Sequence, residues 1–222
     1  MAEQVEHPGR LIAIDGTRGK DTAAAAAAVI ASLKERGVEC AISRFDASGL
    51  FGELAASAHG DRNISARTLA LVYAADLAFR LRWEIRPVLE AGGVVVAAPY
   101  VETPIAFGAS CGLDEEWTRQ LLRFAPAADL RGRAEERKVD RAWKRRTDRG
   151  FAEYCAVMLY ASAQKKVSKR ARHAMMRMLD QGRGRKIFTL SDKGIDAIAK
   201  AITGSRPDAR RRSPSRPRSG HK

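Results

Sequence analysis

Cysteine is scarce in this chain: Cys40, Cys111 and Cys155 are all that 222 residues contain. Three thiols at wide spacing build neither a disulfide framework nor a zinc pattern. The four histidines (His7, His59, His173 and His221) cluster with nothing. A reduced, cytoplasmic protein without a structural metal is the expectation. Long apolar runs are missing as well. The longest strictly apolar stretch, Ala23 to Ala31, falls far short of the ~20 residues a membrane span needs. The opening MAEQVEHPGR lacks the charged-then-apolar order of a signal peptide. No membrane partner is expected.

Acidic residues are also in deficit, 26 against 40 Lys plus Arg, for a formal net charge of +14. The imbalance is local. Residues 1–130 sum to −4, residues 131–186 to +12, residues 187–204 to zero and residues 205–222 to +6. The basicity therefore belongs to the second half and the tail. With 45% hydrophobic and 30% charged residues, the composition is that of a soluble globular chain with one α/β domain. The division expected is one domain over 1–204, with 131–186 its basic helical part, and a disordered Arg/Ser/Pro tail over 205–222. That tail has too few apolar residues to offset its ordering entropy.

Arg10–Ile14 (RLIAI) is a short apolar run of the kind a buried parallel strand shows, closed by Asp15-Gly16. A loop over 16–22 leads into AAAAAAVIASLKER, strongly helical by propensity, and Gly37 marks the helix end. Val38–Arg44 reads as a second strand, which completes a βαβ unit and implies a parallel sheet. Further on come a long helix over Ser65–Glu90 capped by Ser65, kinked or ended by Pro87, a buried strand Val94–Ala98, and a short helix Leu113–Phe124. Arg131–Arg149 is dominated by charge, with no strand-like run. Helical periodicity returns over Phe151–Met178, followed by a strand Lys186–Leu190 and a helix Ser191–Ile202.

The loop Gly16-Thr17-Arg18-Gly19-Lys20-Asp21-Thr22 has the ingredients of a phosphate cradle: small residues, a helix directly behind, and a lysine for the phosphate charge. It is shorter than GxxxxGK[ST]. Only two residues separate Gly16 from Gly19-Lys20, and Asp21 stands where a magnesium-binding hydroxyl belongs, with Thr22 beside it. Asp21 is the one candidate metal ligand. Two readings stay open, a phosphate site or a glycine turn into a helix with an exposed lysine.

The stretch LALVYAADLAFRLRWEIRPVLEAGGVVVAAPYVETPIAFGASCGLDEEW resembles the thymidylate kinases, which show a run like LLFAADR, then IRPAL, then DRYVDSSLAYQG, then GLDEEW. The resemblance covers roughly 10–130 and returns near 148–203. It implies a three-layer α/β fold of the P-loop NTPase type, a parallel sheet flanked by helices. It also implies transfer of a phosphoryl group from ATP to dTMP with Mg2+, and a homodimer. By the same resemblance Lys20 carries the catalytic role, residues 16–22 hold ATP, Arg44 holds the monophosphate, Tyr73 stacks on the base, and Tyr100 remains of the DRY motif. The chain departs from the family where Leu77 replaces the AADR arginine and Ala98-Pro99 replaces the Asp-Arg pair. Phosphoryl transfer depends on positioning and charge neutralisation, and one lost contact costs about 3 kcal/mol. Transfer is therefore expected to be weak or lost. The family's strand after PDL is expected to be missing, since Leu130 runs straight into RGRAEERKVDRAWKRRTDRG. Arg141, Arg145, Arg146 and Arg149 are candidates for an ATP lid or for a solvated helix face.

The alternative is a non-catalytic pseudokinase whose basic half binds nucleic acid or a protein. In residues 131–186 the positive charge is interleaved with Trp143, Phe151, Tyr154 and Tyr160, which suits phosphate neutralisation and base stacking, and the basic tail 205–222 is a second candidate for nonspecific nucleic-acid contact. The same three-and-four spacing is also that of a helical core.

Overall fold

The computed structural model describes residues 8–57, 64–135 and 187–204. The basic segment beyond 135 lies outside them, with its aromatics, the four lid arginines, the expected helix 151–178 and Cys155, as does the tail from 205.

Five strands form one sheet: β1 (Arg10–Asp15), β2 (Cys40–Arg44), β3 (Val94–Ala98), β4 (Leu130–Arg133) and β5 (Ile187–Thr189), in the order β2-β3-β1-β4-β5. Every pairing is parallel, with Arg10 and Cys40 both opposite Val94, Ile12 opposite Leu130, and Arg131 opposite Ile187. All five strands therefore end on the same edge, where α/β sheets bind ligands.

The continuous apolar runs of β1 and β3 follow from burial on both faces. Alternate residues serve two cores. Ile12, Ile14, Val94 and Val96 face α1 (Gly19–Glu35) and α7 (Asp192–Gly204), meeting Ala26, Val29, Leu33, Ile198 and Ile202. Leu11, Ala13, Val95 and Ala97 face the other layer, α3 (Ala66–Arg80) to α6 (Glu115–Leu121), and meet Leu69, Tyr73, Leu77, Ile85 and Phe107. Each fully buried aliphatic side chain contributes about 1.5–3 kcal/mol.

Ser65 caps α3 as expected, accepting from the Thr68 N–H at 3.0 Å. Pro87 does not end the helical run. A π-type turn over Leu81–Ile85 precedes α4 (Arg86–Glu90) and seats Pro87 in α4's first turn, where a missing N–H costs no helical bond. Two helices were not foreseen: α2 (Leu50–Ser57) and α5 (Glu102–Ser110).

The strand expected to be missing after Leu130 is present. LRGR forms β4 between β1 and β5. A backbone ladder needs no apolar run. Arg131 is held by Glu102 at 2.9 Å, and the bare backbone of Gly132 lies against Leu190, where a Cβ would come within 2.8 Å of that side chain.

Candidate functional site

The loop expected over 16–22 is shorter in the structure. Only Gly16, Thr17 and Arg18 connect β1 to α1, and Gly19, Lys20, Asp21 and Thr22 form the first turn of the helix. The alanine-rich helix has extended backward: the Arg18 carbonyl accepts from both the N–H and the hydroxyl of Thr22, at 3.0 and 2.9 Å. The Asp21 carboxylate forms an ion pair with Arg18 and is 6% exposed. A Cβ on Gly16 would lie 2.6 Å from the Thr22 Oγ1 and 3.0 Å from the Ala134 Cβ, so the inner side of the turn is filled. Lys20 is half-buried on the first turn.

A magnesium ion carrying a polyphosphate asks for a ring of inward N–H groups, a lysine, and an oxygen ligand for the metal. Here the Asp21 carboxylate is committed to Arg18, and the Thr22 hydroxyl to the loop's own backbone. Among the described residues no group of three or more His, Cys, Asp or Glu gathers to hold a metal ion. This loop does not fit a magnesium polyphosphate.

Next to it, Asp15 ends β1 and is buried. Its Oδ1 accepts from the N–H of Tyr100 (3.0 Å) and from the N–H and hydroxyl of Thr103 (2.9 and 2.8 Å). Gly16 N–H in turn donates to the Thr103 Oγ1 at 3.1 Å. Asp15 thereby locks the start of α5 onto the loop.

Tyr73 and Tyr100 are brought together. The Tyr73 hydroxyl donates to the Tyr100 carbonyl at 2.5 Å, and Tyr100 donates to the Pro126 carbonyl at 2.8 Å. Burial pushes both phenol pKa values upward. Tyr73 is 0% exposed, and Phe45 lies nearly parallel to it, centroids 6.0 Å apart. Arg44 is exposed at the end of β2, separated from the β1 loop by β3. Ala98-Pro99 ends β3 with no charged group of its own.

Sequence reasoning missed two buried charges beside Tyr73, Asp76 and Arg80. Asp76 holds the β2–α2 loop, accepting from the Ser48 N–H (3.0 Å) and hydroxyl (2.7 Å) and from the Asp46 N–H (3.3 Å). Arg80 donates to the Ser43 Oγ at 3.0 Å and the Pro99 carbonyl at 2.7 Å. The signal was available: both lie at helical spacing from Tyr73, on the face whose other members are apolar.

On the far side of α5, a cavity of about 540 Å³ opens between Asp15, Tyr100, Glu102, Ile105, Arg119 and Arg131. Glu102 meets Arg131 at 2.9 Å and Arg119 at 3.6 Å. Burial, and then the nearby Asp15 charge, push its carboxyl pKa up, against the pull of the two guanidinium groups.

No family model matches the chain. Several thymidylate kinases do resemble it. That of Rhizorhabdus wittichii is 33% identical over 128 residues, 55% of this chain and 61% of the relative. That of Thermomicrobium roseum is 33% identical over 121 residues, 51% of this chain and 55% of the relative. A probable thymidylate kinase of Pyrococcus abyssi is 29% identical over 128 residues, 55% and 62% of the two chains. The chain thus spans less than two thirds of the relatives it matches.

Proposed function

We propose, from the premise that the chain is a divergent member of the thymidylate kinase family over the matched part of its length, that it is a nucleotide-binding protein of that kind. Its own transfer of phosphoryl from ATP to dTMP is weak or lost. One observation carries this reading. The run from Leu69 to Trp117 keeps the family's order and spacing, while the end of β3 carries a methyl group and a pyrrolidine ring, Ala98-Pro99, in place of the Asp-Arg pair. Without that pair, no acid or cation of β3 stands beside a reacting phosphate, and such electrostatic positioning supplies most of the catalysis of phosphoryl transfer. In this reading Arg44 receives the monophosphate and Tyr73 the base, which requires Phe45 to move off the wholly buried Tyr73 ring.

The test is ADP formation by purified protein with magnesium-ATP and dTMP, beside a Lys20→Ala control. The expected result is no turnover above the control, with dTMP binding retained in calorimetry. Turnover that needs both dTMP and Lys20 would overturn the loss of activity. Absence of dTMP binding would overturn the nucleotide reading itself.

A homodimer is part of the same proposal. Leu71, Phe79 and Trp83 (49, 40 and 65% exposed) make an apolar stripe along the outer side of α3 and the π-type turn, which supports self-association. Light scattering of the native chain and of a Trp83→Glu variant tests it. The +12 charge of residues 131–186 favours a second reading, in which the basic half binds nucleic acid.

A further inference from the structure

We propose that the turn after β1 is occupied by the chain's own anion, so that the protein takes a nucleoside monophosphate and excludes a triphosphate. This rests on the nucleotide-binding reading above and names its ligand class. Helix N-termini concentrate positive potential and draw anions to their free N–H groups. At α1 the anion is built in. Asp21 sits in the first turn, almost wholly buried, with Arg18 immediately before the helix as its counterion. The connection is three residues long, and its inner side is taken by the Thr22 hydroxyl, which lies where a Cβ on Gly16 would go.

A phosphate chain entering here meets three obstacles together. The Asp21 carboxylate repels it at short range in a poorly solvated site. Arg18, the cation that precedes the helix, is already neutralised by Asp21. The turn lacks the span to wrap a β-phosphate. None of these applies at the end of β2, where Arg44 is exposed and one strand removed. A single phosphate can therefore be met at Arg44 while the β1 turn stays shut. Arg18 and Asp21 act here as specificity-determining residues, a plug that replaces the donor nucleotide's phosphates.

The experiment is calorimetry on the full chain at low ionic strength with dTMP, ATP and inorganic tripolyphosphate, using the wild type, Asp21→Asn and Asp21→Ser. The wild type is expected to bind dTMP, with tripolyphosphate giving only the background heat of the basic residues 131–186 and 205–222, which substitution of Asp21 leaves unchanged. Removing the carboxylate charge should leave dTMP affinity within about twofold and tighten tripolyphosphate by about tenfold or more. That gain should fade as salt rises. Variants that fold, by circular dichroism, and gain nothing for tripolyphosphate would overturn the proposal. If no protein binds dTMP, the nucleotide reading fails, and the tripolyphosphate comparison still decides the plug.

Discussion

Asp76 and Arg80 lie one turn apart on α3, both completely buried, yet their closest approach is 3.7 Å. Each is committed elsewhere: the carboxylate to the loop at 46–48, the guanidinium to Ser43 and to the Pro99 carbonyl. The pair thus ties three segments at the C-terminal edge of the sheet to one helix, and leaves the Arg80 Nη1 without a hydrogen-bond partner. Breaking a buried pair from one side strands the other charge, at a cost of about 3–5 kcal/mol. Urea unfolding of Asp76→Asn and Arg80→Met should show losses of that order. The double variant should lose less than the two together, because the second substitution removes the stranded partner.

Tyr73 offers a sharper test of the base-binding role through Phe than through Ala. Tyr73→Ala empties a fully buried position and should cost about 3–5 kcal/mol whatever the ligand does. Tyr73→Phe removes only the hydroxyl shared by the Tyr100 and Pro99 carbonyls, at about 1 kcal/mol. If the ring receives the base, Tyr73→Phe keeps dTMP affinity while Tyr73→Leu, which keeps the apolar bulk and loses the aromatic face, weakens it; equal affinities in the two would make Tyr73 a core residue only. Parallel calorimetry and urea titration check this.

The βαβ opening, the cap at Ser65 and the strand Val94–Ala98 were legible because each is written in local chemistry: apolar runs, an alanine-rich segment, a hydroxyl at a helix start. β4 was not, because Leu130–Arg133 earns its place in the sheet by backbone pairing on both sides, and its arginines are satisfied by distant partners such as Glu102. The loop at 16–22 was half legible. Its glycines and lysine are visible in the sequence, whereas the Arg18–Asp21 pair, which decides what the turn can hold, exists only once the helix has extended back to Gly19. The roles of Asp76 and Arg80 were not legible, because nothing local tells that the loop after β2 will arrive to meet them.

Glu102 gives a pH prediction. Its carboxyl titrates above the ordinary glutamate value, chiefly through burial. The folded state therefore favours the protonated form. The stability from this group is fully present below the unfolded pKa and is lost as pH rises through the raised folded value. Denaturation midpoints of the wild type should fall across that interval relative to Glu102→Gln, which should be flat there. Equal slopes would show that Arg119 and Arg131 compensate the burial fully.

If the basic half binds nucleic acid, affinity for a single-stranded oligonucleotide should fall with salt, with a logarithmic slope of about 0.7 per phosphate neutralised. Fluorescence anisotropy over a salt series measures it. A flat response would end that reading.

The inner face of α1 waits for the far end of the chain. Ala26, Val29 and Leu33 close against Ile195, Ile198 and Ile202 of α7, and Arg36 finds its acidic partner, Asp196, 160 residues later. In synthesis, every described strand, β5 included, precedes the helix that closes that face. Such non-local closure slows folding and prolongs exposure of apolar surface. A chain lacking α7 should therefore expose the Ala26, Val29 and Leu33 stripe of α1.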